Sequence, residues 1–140
     1  MGVNWSIYYD NHYFSREEIA CPCCGNTYMK NGFLQAVVEL RVAYGHGVVP
    51  NSVCRCRKYN ASLSKRKSAS GKKLKPAKAS SHISEKNHPC CAIDWPVSGG
   101  ARKYKLVQLA MRLGFSVGVY KNFLHLDKRS GTPMLWWGGY

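Results

Sequence analysis

Two histidines and an aspartate, His82, Asp94 and His125, are the residues of this chain whose types and placement most directly imply chemistry. Two imidazoles and one carboxylate make a common ligand set for a catalytic zinc, because they leave a fourth position open to water. His125 lies in a short apolar run that reads as a strand, with Phe123, His125 and Asp127 alternating onto one face. His82 and Asp94 belong to "SSHISEKNHPCCAIDW", residues 80–95, so the fold has to bring two separate segments together. Water activated by such a metal is a nucleophile at neutral pH, and the chain reads first as a candidate metal hydrolase.

The elements that must position these groups are legible in outline. "FSREEIAC" starts with an N-cap serine, Ser15, followed by acids, which predicts a short helical turn. "CPCCG" at 21–25 is a turn or knuckle. Phe33, Leu34, Val37, Val38, Leu40 and Tyr44 give one apolar face to a helix closed by Gly45. "VVPNSVCRC" at 48–56 reads as a strand or extended segment, and "CCAIDW" at 90–95 as a short strand. A second helix is predicted from Gly100 to Leu113, with Tyr104, Val107, Ala110, Met111 and Leu113 facing inward and Gly114 as its stop. "FSVGVY" and "FLHLD" form a hairpin, and "MLWW" at 134–137 supplies a last strand. Trp136 and Trp137, adjacent in that strand, must point to opposite faces, so one is exposed or covers the site. Helices mixed with a small antiparallel sheet make a single α+β domain.

A formal charge of +14 is large for 140 residues, but it is concentrated: residues 57–78 hold nine Lys or Arg and no acid. That stretch, with Gly71 and Pro76, reads as a basic loop over 57–79 that suits an anionic polymer, such as cell-wall material or nucleic acid, or an acidic membrane surface. No segment approaches the roughly 20 apolar residues of a transmembrane helix. The opening "MGVNWSIYYDNHYF" lacks a basic region followed by an apolar one, so a Sec signal peptide is not expected and synthesis in the cytoplasm is. Seven cysteines, Cys21, Cys23, Cys24, Cys54, Cys56, Cys90 and Cys91, are an odd set that excludes complete intramolecular pairing. Thiols or thiolate–metal bonds fit such a chain better than a disulfide framework. Cys21 and Cys24 stand at knuckle spacing, and Cys54, Cys56, Cys90 and Cys91 are candidates to complete a second, cysteine-bound zinc site.

Four segments taken together, "SVCRCRKYN" at 52–60, "SSH" at 80–82, "AIDW" at 92–95 and "VYKNFLHLDKR" at 119–129, resemble the zinc D-Ala-D-Ala carboxypeptidase family, which includes phage endolysins. Its small members run from an opening of the "FSxxEFxCxCG" kind through "SGYRCxxHN" and "SxHxxGxAxDI" to "FIHxDxR", and the matches fall in the same order along nearly the whole chain. The resemblance implies an α+β fold of the DD-peptidase type with one zinc. It implies His82, Asp94 and His125 as ligands, and Arg55 as the arginine that steadies substrate and the developing oxyanion. Asp127, two residues after a ligand on the same strand face, could orient an imidazole or pair with a neighbouring cation. The activity implied is a metallopeptidase, carboxypeptidase or endopeptidase, acting on peptidoglycan stem peptides or cross-links. For a phage-encoded chain, lysis-type release or a place in the virion brings it to the cell wall.

The chain departs from the family pattern twice. His82 and Asp94 are twelve positions apart, where the family has seven, which reads as a five-residue insertion with His88 as the rival ligand. Asn122 stands three residues before His125, where many relatives carry an acid, and an amide cannot accept a proton from water. Asp127 and Glu85 are the candidate substitutes. Two other classes of function stay open at this point: a catalytically silent, zinc-containing cell-wall-binding domain, and a basic zinc-binding nucleic-acid protein.

Overall fold

The computed structural model describes residues 2–4, 12–63 and 80–138. The elements run β1 (Gly2–Asn4), α1 (Arg16–Ile19), β2 (Tyr28–Lys30), α2 (Phe33–Tyr44), α3 (Arg57–Ser62), β3 (Ala92–Pro96), α4 (Gly100–Arg112), β4 (Ser116–Val119), β5 (Phe123–Asp127) and β6 (Leu135–Trp137). This is a small α+β fold in one domain. The basic stretch opens with α3, and residues 64–79 of it lie outside the described residues.

Local sequence explains the boundaries. The Ser15 hydroxyl accepts from the Glu18 N–H at 3.2 Å while Glu18 Oε1 accepts from the Ser15 N–H at 2.8 Å, a reciprocal capping box that starts α1. α2 stops where Gly45 turns left-handed at φ 79° and returns its N–H to the Arg41 carbonyl.

A four-stranded sheet has the order β3-β5-β4-β6. β5 runs antiparallel to both neighbours, whereas β6 lies parallel to β4, so the sheet is mixed rather than wholly antiparallel as the sequence predicts. The reason is topological: both edges of β5 are already taken, by β3 and β4. The chain therefore reverses after β5, passes β4 and pairs with its far edge.

The faces of this sheet are chemically distinct. Ile93, Trp95, Val117, Val119, Leu124 and Leu126 point to one side and are buried in the core beneath α2 and α4. The phase of α4 differs from the sequence reading, since Leu106 and Ala110 are buried while Tyr104 and Met111 are more than half exposed. Lys103 made the true face look polar. Lys103 is half-buried, and its Nζ reaches the carbonyls of Tyr120 and Lys121, at 2.9 and 2.8 Å. The opposite face of the sheet carries Asp94, His125, Gly118 and Trp136 in one cross-strand row. No helix among the described residues is long and apolar enough to cross a membrane.

Candidate metal centre

β3 and β5 place Asp94 directly opposite His125. Residues 52–55 then run beside β3, with the Asp94 N–H donating to the Ser52 carbonyl at 2.8 Å. On their other side the Arg55 N–H donates to the His82 carbonyl, also at 2.8 Å. This ladder brings His82, Asp94, His125 and Arg55 together from four stretches of chain. One ligand atom each from His82, Asp94 and His125 lies within 4.8 Å of the others.

Asp94 is the hub. Its Oδ1 lies 3.1 Å from His82 Nε2 and 3.2 Å from His125 Nδ1, and its Oδ2 accepts from Arg55 Nη2 at 3.0 Å. Arg55 is steadied in turn, donating from Nε to Ser52 Oγ at 2.9 Å and from Nη1 to Asn60 Oδ1 at 3.4 Å. Burial pushes the Asp94 carboxyl up, but the two imidazoles outweigh it and hold the group well below the usual carboxylate range.

Each imidazole is oriented from behind. His82 Nδ1 is 2.7 Å from the Val53 carbonyl, which can only accept, so this nitrogen carries the proton. Burial pushes the His82 pKa down and keeps the ring neutral, so its Nε2 presents a lone pair toward Asp94 Oδ1. His125 Nε2 is 2.8 Å from Asp127 Oδ2. Asp127 is fully buried and held by Arg129, which donates from Nε at 2.9 Å and from Nη2 at 2.7 Å. Burial alone would raise its pKa, but His125 and Arg129 hold it well below the usual range. His125 therefore donates through Nε2 and turns Nδ1 to the same Asp94 oxygen.

Three donor atoms facing one another, two imidazole nitrogens and a carboxylate oxygen, have the composition and spacing to hold a metal ion between them. The donor set fits zinc, and the carbonyl and carboxylate behind the rings are the outer contacts that fix ligand tautomers at such sites. Asp127 thus sits behind His125, on the side away from Asp94, as a positioning group. His88 points elsewhere, with its Nδ1 3.3 Å from the Ile83 carbonyl. Between His82 and Asp94 the chain folds into a tight turn closed by Glu85 and His88, whose N–H and carbonyl groups exchange hydrogen bonds of 3.0 Å. Glu85 pairs with Arg57 at 2.5 Å. Asn122 is exposed and lines a cavity of about 370 Å³ with Tyr44, His46, Pro96, Ser98 and Arg102, and none of the three clustered ligands lines that cavity.

Burial lowers the His125 pKa, but its bonds to Asp127 and Asp94 outweigh that and raise it, so Nδ1 holds a proton more firmly than a free imidazole does. Zinc has to displace that proton. Titrating zinc into weakly buffered protein is expected to release protons, with apparent affinity rising as the pH rises through the His125 transition. A pH-independent affinity across the neutral range would contradict this.

Several contributors escaped the sequence reading. The Val53 carbonyl has no side-chain signature. Asn60 closes "CRCRKYN", and its place in that motif was the available signal. Of the two adjacent tryptophans, one of which the sequence expects to be exposed or to cover the site, Trp136 is the one at the site. Its ring lies 5.5 Å from that of His125, tilted over Gly118, where an added Cβ would come within 2.6 Å of the indole. The glycine is what lets the indole lean toward the site, while Trp137 on the other face is largely exposed.

Sulfurs gather at a second place. Cys21, Cys24 and Cys56 each offer a sulfur within 4.8 Å of the others, so among the described residues two groups have the composition and spacing to hold a metal ion. Cys54, Cys90 and Cys91 are not in this cluster, and burial pushes the Cys90 thiol well up.

No protein-family model, curated protein or solved structure matches the chain.

Proposed function

We propose that the protein is a zinc-dependent peptidase of the D-Ala-D-Ala carboxypeptidase type, hydrolysing peptide bonds in peptidoglycan stem peptides or cross-links. One observation carries the reading: two imidazoles, each held from behind, converge on one buried carboxylate oxygen beside a fixed arginine. His82 Nε2, His125 Nδ1 and Asp94 Oδ1 would hold the zinc, which when bound supplies a Lewis acid for activating water and polarising a carbonyl.

The chain's own groups do the rest. Arg55 keeps a guanidinium against Asp94, where its charge stabilises negative charge developing on the scissile carbonyl oxygen. The Asp127–Arg129 pair holds a proton on His125 Nε2, which fixes the ring's tautomer through the reaction. Trp136 walls one side of the site, excluding water and offering an aromatic face to the substrate. Gly118→Ala is expected to push that wall aside, leaving zinc content unchanged while lowering turnover on the order of 10–100-fold. An unchanged turnover would remove the indole from the site's function.

The test is to incubate zinc-loaded protein with purified peptidoglycan, with and without chelator, and to look for new peptide termini by mass spectrometry. Termini that vanish with chelator and with His125→Ala support the peptidase and identify the bond. Intact peptidoglycan with folded, zinc-loaded protein overturns it. Asn122 favours a second reading, a zinc-containing wall-binding domain without hydrolysis, because its amide stands where an acid would accept a proton. Tight wall binding without cleavage, and no gain from Asn122→Asp, would select that reading.

A further inference from the structure

We propose that Cys21, Cys23, Cys24 and Cys56 form a second, purely structural metal site, a tetrathiolate for zinc that clamps the N-terminal knuckle to the start of α3.

The backbone builds this site from a turn and a helix start. Pro22 fixes one φ of the turn, and Gly25 takes the left-handed conformation at φ 76°. The turn is closed by the Gly25 N–H donating to the Cys21 carbonyl at 2.8 Å and the Cys21 N–H donating to the Asn26 carbonyl at 3.0 Å. That geometry puts Cys21 and Cys24 on one side of the turn. Cys56, immediately before α3, brings the third sulfur of the trio within 4.8 Å. Cys23, exposed on the same turn between Pro22 and Cys24, is the thiol we assign as the fourth donor.

The hydrogen bonds distinguish these sulfurs from ordinary buried thiols. The Cys56 N–H donates to Cys21 Sγ at 3.2 Å, and the Tyr59 N–H donates to Cys56 Sγ at 3.4 Å. A neutral thiol is a poor acceptor, whereas a thiolate draws backbone N–H groups as any anion does. Cys90 shows the opposite behaviour. Its sulfur donates, to the carbonyls of Val53 at 3.3 Å and Ala92 at 3.6 Å, as a protonated thiol in the core does. A disulfide would use two of the three clustered sulfurs and strand the third. One soft dication satisfies these three and Cys23, and closed four-coordinate sulfur sites hold zinc for structure rather than catalysis.

This clamp has a consequence for the first centre, one that rests on the peptidase reading as the thiolate site itself does not. Cys56 directly follows Arg55, and the α3 residue Asn60 receives the Arg55 guanidinium. The thiolate ion would therefore fix the segment that aims Arg55 at Asp94.

Cobalt substitution of the full-length, reduced protein tests the site, because thiolate-to-cobalt charge-transfer absorption arises only from sulfur ligands and is independent of hydrolysis. The expected result is an intense charge-transfer band at one equivalent of thiolate-bound cobalt, and zinc analysis finding a second equivalent beyond the imidazole site. Cys56→Ser should abolish the band and Cys91→Ser should preserve it, with circular dichroism confirming the fold of each. Cys23→Ser should weaken it by about a quarter, as loss of one of four sulfurs requires. No band in the folded, reduced wild-type chain overturns the proposal, as does a band that survives Cys24→Ser and Cys56→Ser together. A band unchanged by Cys23→Ser overturns the assignment of the fourth ligand. Peptidoglycan cleavage is measured separately, so loss of either reading leaves the other standing.

Discussion

Asp94→Asn is expected to abolish zinc retention at the imidazole site and to lower peptide hydrolysis by at least about 10³-fold, since the metal's several kcal/mol of transition-state stabilisation are lost with it. The side chain has one oxygen shared by two imidazoles and another receiving Arg55 Nη2. An amide cannot serve both. With its oxygen toward the histidines, its NH₂ meets the guanidinium donor against donor, and with the groups exchanged it offers no lone pair to a metal. Arg55 is then left with a partly buried, unbalanced charge, and breaking such a pair costs about 3–5 kcal/mol. Metal analysis, a stem-peptide assay and melting in chelator separate the effects. Asp127→Asn makes the contrast: it leaves all three ligands and removes only the group behind His125, so metal affinity should fall about 10–100-fold. Equal losses from the two variants would contradict the division between ligand and positioning residue.

The largest effect on stability belongs to the neighbouring residue, on the other face of the same strand. Trp95 is fully buried, edge-on to Phe14 and Tyr44 at centroid separations of 6.5 and 5.9 Å. Trp95→Ala leaves a void that these rings, on separate elements, cannot collapse to fill, and should cost about 3–5 kcal/mol. That is a large part of the roughly 5–15 kcal/mol that holds a domain of this size. Trp95→Phe should cost far less than its lost volume implies. The indole Nε1 is buried with no hydrogen-bond partner among the described residues, and removing it relieves a desolvation penalty of about 1–3 kcal/mol. Urea unfolding of both variants measures the difference. A phenylalanine variant as unstable as the alanine variant would show that Nε1 has a partner.

How much of this was readable beforehand depended on whether a residue's role lay in its own side chain. The α2 face from Phe33 to Tyr44 was plain, because its apolar residues recur at helical spacing without interruption. α4 was misphased because Lys103 is polar at its tip and apolar along its stem, and hydropathy patterning sees only the tip. The mixed sheet was not legible, since strand pattern says nothing about which edges remain open. In the site, His82, Asp94, His125 and Arg55 announce themselves as side chains with metal or oxyanion chemistry. The Val53 carbonyl and the Gly118 gap do not, because one is backbone and the other is the lack of a side chain. The cysteines were visible as a set, yet their division into N–H-accepting and carbonyl-donating sulfurs needed three dimensions.

β5 has no idle positions. His125 and Asp127 serve the centre on one face while Leu124 and Leu126 fill the core on the other, and β3 and β4 grip both edges. Adding or deleting a single residue in the turn before Phe123 would exchange the faces, driving an imidazole and a carboxylate into the apolar layer and two leucines out of it. Length at that turn is thus as tightly constrained as the identity of the ligands. The reach between His82 and Asp94 obeys the opposite rule, since the turn at Lys86 and Asn87 stands outside the sheet and is closed on itself by Glu85 and His88. Anyone grafting a loop or a tag into this fold should find the second place permissive and the first closed.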